Sequence, residues 1–104
     1  MKMSVFVNNN GIVELRTQRR DYNDALRVLE RLKDNAKLRN HGKSFEVYMG
    51  MSEVKKDQEL TKKVCEVLKR MHEEAVSEGK EGRARSIAKA MTKLNCPTQS
   101  PRTQ

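Results

Sequence analysis

Residues 21–42, DYNDALRVLERLKDNAKLRNHG, carry the clearest periodic pattern in the chain. Apolar side chains recur there every three or four residues, which places them on one face of a helix. That face comprises Tyr22, Leu26, Leu29, Leu32 and Ala36, and it is widened by Ala25 and Val28. Asp21 is suited to cap the first turn, and Gly42 is suited to end the helix. Because an isolated helix of this length is marginal in water, we expect its apolar face to pack against another surface.

Short β-type segments precede and follow this helix. Residues 4–8 and 12–17 are rich in β-branched side chains and flank an Asn-Gly pair, which favours a hairpin because both residues tolerate positive φ. A single extended strand followed by an irregular approach to the helix is the alternative. Residues 43–49 have strand character again. Their side chains alternate between two faces, with Phe45, Val47 and Met49 on one and Glu46 and Tyr48 on the other.

The second half of the chain is predicted to be helical. Residues 52–77 carry an apolar stripe at helical spacing, and Ser52 is a suitable N-cap. A glycine-containing break over 78–82 separates this long helix from a short basic helix over 83–94.

Together these segments predict an α+β fold. Its elements are a short N-terminal β-hairpin or extended strand, an amphipathic helix, a short strand, a long helix and a short basic C-terminal helix. Residues 1–95 are expected to form a single small domain, because the chain is too short for two. Residues 96–104 are expected to be a disordered polar tail.

The cysteines and histidines do not form a recognisable reactive or metal-binding pattern. Cys65 and Cys96 are far apart and lack metal-type neighbours, so we expect Cys65 to pack as a free thiol rather than to form a disulfide. His41 and His72 are too scattered to complete a metal site. The chain has no Gly-rich phosphate loop and no Gly-x-Ser-x-Gly elbow. We therefore expect no metal, no cofactor and no enzymatic activity.

The distribution of charge points to an anionic partner. The formal net charge of +8 divides into +4 for residues 1–50, −1 for residues 51–82 and +5 for residues 83–104. Lys and Arg neutralise phosphates, and exposed aromatic rings stack on unpaired bases, so basic flanks of this kind favour RNA binding. The candidate RNA-binding residues are Arg16, Arg19, Arg20, Arg39, Lys43, Tyr48, Arg83, Arg85, Lys89 and Lys93.

A second function also fits the pattern. A small regulator or adaptor of the phage or plasmid type would bind a single protein partner through the apolar sides of its helices, with Met71, Ala75, Ile87 and Met91 as contacts. No apolar run approaches the roughly 20 residues of a membrane span, so we expect no membrane association. The N-terminus lacks the apolar core of a secretory signal, which favours an intracellular location.

Four segments carry a resemblance to a known family. SVFVNNNG is similar to its entry segment, YNDALRVLERLKDNAKLRN to its first helix with Ala25-Leu26-Arg27 at the core, GKSFEVYMGMS to its basic-aromatic segment and GRARSIAKAMTKLN to its basic helical end. In this order they resemble the small-subunit ribosomal protein S-twenty-one family, including its mitochondrial members. The resemblance implies a structural protein of a mitochondrial or cytoplasmic ribosome. It implies contacts with ribosomal RNA and neighbouring ribosomal proteins on the small-subunit platform, near the messenger exit.

Overall fold

The computed structural model of the chain describes residues 3–96, without the side chains of Asp24 and Asp34. These residues form an α+β fold with a four-stranded antiparallel sheet of order β1-β2-β4-β3. The elements are β1 (Met3–Val7), β2 (Ile12–Gln18), α1 (Tyr22–Leu32), β3 (Ala36–Asn40), β4 (Ser44–Gly50), α2 (Met51–Lys56), α3 (Gln58–Ser77) and α4 (Glu81–Lys93). No helix within the described range is both long enough and apolar enough to cross a membrane.

The first two strands form the hairpin that the Asn-Gly pair predicted, rather than one extended strand. Val5 lies opposite Leu15 in the antiparallel register. The Asn8 side-chain oxygen accepts hydrogen bonds from the backbone N–H groups of Asn10 and Ile12, at 2.8 and 3.0 Å. Gly11 has a φ of +79°, a conformation that glycine adopts without strain. The turn chemistry therefore sets the register of β1 on β2.

The core lies on one face of the sheet. Val5, Leu15 and Val47 are in register across three strands and are at most 1% exposed. α1 and α3 pack on this same face, since Val28 of α1 and Leu68 of α3 belong to one cluster with these strand residues. The opposite face contributes none of the members of that cluster. The sheet therefore has one face covered by helices and one open face.

The prediction of a helix over 21–42 is wrong in its second half. α1 ends at Leu32, Lys33 has a φ of +52°, and residues 36–40 form the edge strand β3. Ala36 and Leu38 both lie on the core side of β3, at the two-residue period of a strand. Ala36 also fits the helical spacing from Leu32, so the apolar pattern alone favoured a longer helix. Gly42 lies in the β3–β4 hairpin with a φ of +79°.

The predicted helix over 52–77 is interrupted at Asp57. This residue has an extended backbone, and its carboxylate accepts a hydrogen bond from the Leu60 N–H at 3.1 Å, which caps α3. Gly50, rather than Ser52, occupies the N-cap position of α2. Asp21 precedes α1 as expected, but its side chain makes no capping hydrogen bond.

A disulfide joins α3 to the end of α4, so the prediction of a free Cys65 is wrong. The turn at Gly79 folds α4 back on α3 and buries Ile87 and Ala90, and the Cα atoms of Cys65 and Cys96 lie 5.6 Å apart. Their separation of 31 residues carried no sign of this proximity, which depends on the direction of the turn. Cys96, the first residue of the predicted tail, is thus tied to the fold. Residues 97–104 lie outside the described residues.

Candidate nucleic-acid interface

The open face of the sheet brings together charged and aromatic side chains from all four strands. Alternation along each strand places them there, because their chain neighbours point into the core. The charged and aromatic members of the open face are Phe6, Glu14, Arg16, Lys37, Arg39, Glu46 and Tyr48. One cross-strand row runs Phe6–Glu14–Tyr48–Lys37, and the adjacent row runs Arg16–Glu46–Arg39. The face therefore contains two aromatic rings, three cationic side chains and two carboxylates.

Glu46 organises the centre of the open face. Its side chain is 7% exposed, and its carboxylate accepts a hydrogen bond from the Tyr48 hydroxyl at 2.5 Å. The same carboxylate pairs with Arg16 at 2.8 Å, and the Nε2 atom of His41 lies 2.8 Å from it. The hydrogen bond from Tyr48 is the main cause that lowers the pKa of Glu46, and the charges of His41 and Arg16 add to it. The same hydrogen bond, together with burial and the nearby carboxylates, raises the pKa of Tyr48. At neutral pH an ionised Glu46 therefore holds a neutral Tyr48 and a charged Arg16 in fixed positions.

Phe6 and Arg16 form a pair at the β1 side of the open face. The Phe6 ring is a large apolar group on the surface, 37% exposed. The Arg16 guanidinium lies 5.2 Å from the centre of that ring, within the range of a cation–π contact. Arg16 also bonds to Glu14 at 2.8 Å and is itself 46% exposed. This pair presents an aromatic ring and a guanidinium side by side to solvent.

The basic residues at the end of the sheet have two different roles. Arg19 is exposed but makes contacts within the chain: its guanidinium donates a 2.6 Å hydrogen bond to the Gly42 carbonyl and lies 5.5 Å from the centre of the Phe45 ring. Arg20 bonds to the Gln18 side chain at 2.9 Å and is exposed. Lys43 is exposed in the β3–β4 hairpin. Arg19 therefore fastens the hairpin to the start of α1, while Lys43 and Arg20 extend the positive surface of the open face.

The four predicted binding residues of α4 are all exposed. Arg85, Lys89 and Lys93 lie on the side of the helix away from the buried Ile87 and Ala90, whereas Arg83 lies one turn before Ile87 on the same side. Arg83 and Phe6 line one cleft of about 310 Å³ at the β1 edge. Through Arg83 the positive surface of α4 thus meets the open face. Arg85, Lys89 and Lys93 follow along α4, and nothing in the described structure places them against the sheet.

Sequence reasoning named Arg16, Arg39 and Tyr48 as candidate binding residues but did not name the other four charged and aromatic members of the open face. Phe6 had a signal, because an inward Val5 requires an outward Phe6 in a strand. Lys37 was hidden by the over-long helix and aligns with Tyr48 only once residues 36–40 are a strand. Alternation placed Glu46 on the same side of its strand as Tyr48, but its pairing with Arg16 had no signal, because Arg16 is thirty residues away in the sequence.

The replacement Glu46→Gln is expected to lower the free energy of unfolding near neutral pH by about 2 kcal/mol, because hydrogen bonds to a charged group contribute about 1.5–3 kcal/mol. The folded-state pKa of Glu46 lies below its ordinary value of 4.5. Its contribution is therefore present above that value and is lost as the pH falls through the folded-state pKa. Urea denaturation of parent and variant from neutral pH to about pH 3 should show their difference shrinking on the acid side. If the difference in the free energy of unfolding between parent and variant does not change with pH, the ionised form of Glu46 is not what stabilises the fold.

The open face combines exposed cationic side chains with carboxylates that are already paired. Glu14 and Glu46 are each engaged by Arg16, while Lys37, Arg39 and Lys43 are exposed. Within residues 3–96 no group of three or more His, Cys, Asp or Glu side chains is arranged to hold a metal ion. No family model, curated protein or solved structure matches the chain, so the candidate interface is defined by its own geometry.

Proposed function

We propose that this protein is a nonenzymatic RNA-binding protein that takes single-stranded RNA on its open face. One observation carries the proposal: two aromatic rings, Phe6 and Tyr48, occupy a single cross-strand row. Basic side chains lie beside or within that row, namely Arg16, Lys37 and Arg39. Aromatic side chains on a surface stack on unpaired bases, and neighbouring Lys and Arg neutralise the phosphates between them.

The spacing of the two rings favours an unpaired strand over a duplex. Phe6 and Tyr48 lie on β1 and β4, which are separated by β2. Two interstrand steps of about 4.8 Å place the strands roughly 10 Å apart. Bases that remain stacked on each other lie only about 3.4 Å apart along a strand. The two rings therefore suit bases that are splayed out, as single-stranded RNA permits.

The apolar sides of the helices do not favour the adaptor hypothesis. Met71, Ala75 and Ile87, three of its four expected contacts, are at most 6% exposed and belong to the core cluster. Met91 is partly buried against the same cluster. Because the fold of the chain itself occupies this surface, binding through it would require α4 to move away from α3.

The family resemblance implies a more specific function than RNA binding in general, namely that the protein is a component of the small ribosomal subunit. Its partners would be ribosomal RNA and neighbouring ribosomal proteins, in a mitochondrial or cytoplasmic ribosome. The Cys65–Cys96 disulfide weighs against a strongly reducing cytosol, where such bonds are rare. Sedimentation of the tagged protein from a native lysate tests this more specific function, with co-migration with the small subunit as the expected result.

A salt titration of RNA affinity tests the general proposal. Fluorescence anisotropy with two unrelated single-stranded RNAs should give similar affinities, since phosphate contacts do not read sequence. The logarithm of affinity should fall linearly with the logarithm of salt concentration, by roughly 0.7 for each phosphate contact. Replacing Lys37, Arg39 and Lys43 with Gln should reduce that slope by about 2. The RNA recovered after the titration should be intact.

A variant with the same change of charge is the matched control. Lys55, Lys62 and Lys69 lie on α2 and α3, away from the open face, and all three are exposed. Their replacement with Gln should leave the slope close to that of the parent. An equal reduction of the salt slope in the two variants would mean that RNA affinity depends only on the net charge of the protein, which would contradict binding at the open face. An affinity independent of salt in the parent would contradict RNA binding through phosphates.

A further inference from the structure

A groove of about 550 Å³ runs between α3 and the end of α4, and the disulfide lies within its wall. Lysines from the α2 and α3 side line it, together with a single carboxylate. The charged and sulfur-containing lining residues are Lys55, Lys62, Lys69, Glu66, Cys65 and Cys96. No residue of the open face contributes to this groove. The groove is therefore a second surface feature, independent of the proposed RNA-binding site.

The position of Cys96 is set by the way in which α4 ends. Asn95 has a φ of +57°, and its N–H donates to the Thr92 carbonyl at 3.0 Å. The Cys96 N–H donates to the Met91 carbonyl at 2.9 Å, which completes a Schellman motif. The neighbouring Leu94 is 1% exposed and anchors this turn in the core. The helix end thus holds Cys96 beside α3 through contacts that do not depend on the disulfide.

The two cysteine residues differ in exposure to solvent. Cys65 is 6% exposed in the middle of α3, whereas Cys96 is partly exposed at the groove. An incoming nucleophile therefore reaches the sulfur of Cys96 first. The sulfur of Cys65 is then the leaving group, because attack on one sulfur of a disulfide expels the other.

The charge of the groove favours anions. Lys62 and Lys69 lie three and four residues from Cys65, on the same side of α3. Among the described residues, no ion pair joins either lysine to a carboxylate. The three lysines and Glu66 give the rim a formal charge of +2. A positive environment stabilises a thiolate and attracts an anionic reactant.

We propose that this groove is a thiol–disulfide exchange site that selects small thiols carrying a carboxylate. The incoming thiolate attacks Sγ of Cys96 and forms a mixed disulfide there. The bond between the two cysteine sulfurs breaks, and its electron pair leaves on Cys65 as a thiolate, which Lys62 and Lys69 stabilise. The thiol is the only co-reactant. Because the Schellman turn keeps Cys96 in place, attack by Cys65 on the mixed disulfide restores the original bond and releases the thiol.

The test compares three small thiols of different charge on the oxidised full chain. These are mercaptoacetate, 2-mercaptoethanol and cysteamine, which are negative, neutral and positive. Acid quenching and mass spectrometry give the rate of adduct formation per thiolate, and each rate is divided by the rate of the same thiol with a small uncharged disulfide, so that differences in ionisation and in intrinsic nucleophilicity are both removed. At low salt mercaptoacetate should react on the order of tenfold faster than cysteamine, with mercaptoethanol between them. Peptide mapping should place the adduct on Cys96.

Two variants with equal changes of charge make the test specific. Lys62→Gln with Lys69→Gln should bring the ratio of the two rates close to one, as should high salt, because both remove the local positive field. Lys37→Gln with Arg39→Gln, on the open face, should keep the parental ratio. The proposal is overturned by equal rates for all three thiols, by a ratio that the groove variant leaves unchanged, by an adduct on Cys65, or by no adduct with any thiol. None of these outcomes depends on whether the protein binds RNA.

Discussion

Replacing both Cys65 and Cys96 with Ala is expected to lower the free energy of unfolding by about 3–4 kcal/mol. The bond closes a loop with a sequence separation of 31 residues, and the loss of this constraint raises the entropy of the unfolded chain. A domain of this size is stable by about 5–15 kcal/mol, so the loss is a large share of the total. Both cysteines are replaced together, because a single replacement would leave a free thiol able to form intermolecular disulfides.

Urea denaturation under oxidising and reducing conditions measures this effect. The oxidised parent should unfold at a higher urea concentration than the double variant, and a phosphine reductant should move the parent to the midpoint of the variant. The reductant should leave the variant unchanged, which controls for its other actions. If the oxidised parent and the variant unfold at the same urea concentration, the bond does not constrain the unfolded chain as its position implies.

The elements that sequence reasoning found are those whose signal is local. Asn10-Gly11 fixes a hairpin through its own backbone preferences, and alternation in 43–49 correctly separated the buried Val47 from the outward Tyr48. α3 and α4 are similar, since the glycines near the break and the apolar stripes lie within each segment. In each case the conformation of the segment is determined by residues that are close together in the sequence.

The elements that it missed depend on contacts between distant residues. β3 is a strand because β4 offers it a hydrogen-bonding edge, and the Lys33–Asn35 turn directs residues 36–40 to that edge. The disulfide depends on the antiparallel packing of α4 on α3. The open face likewise combines local signals with contacts between distant residues. The sequence alone marked Arg16 and Tyr48 as candidate binding residues. Their meeting around Glu46 follows only from the register of β2 on β4.

Leu15 and Phe6 lie on opposite faces of the β1–β2 hairpin. Replacing each with Ala is therefore expected to have opposite effects on the stability of the fold and on RNA affinity. Leu15 is 0% exposed beneath the helices, so Leu15→Ala should cost about 2–5 kcal/mol of stability. Phe6 lies on the open face and is 37% exposed, so Phe6→Ala should cost about 1 kcal/mol or less. For RNA the order reverses, because loss of a stacking ring typically weakens binding by about 1–3 kcal/mol, roughly 5- to 150-fold.

Thermal melts and anisotropy titrations on both variants measure the two effects separately. RNA affinity is determined well below the melting temperature of Leu15→Ala, so that every sample is folded. Under that condition Leu15→Ala should bind RNA as the parent does, since its side chain lies on the other side of the sheet from the open face. Phe6→Leu is a useful third variant, because it keeps an apolar side chain but removes the aromatic ring. It should lose affinity nearly as much as Phe6→Ala if stacking is the cause, whereas parental affinity in Phe6→Leu would show that the ring itself does not contact RNA.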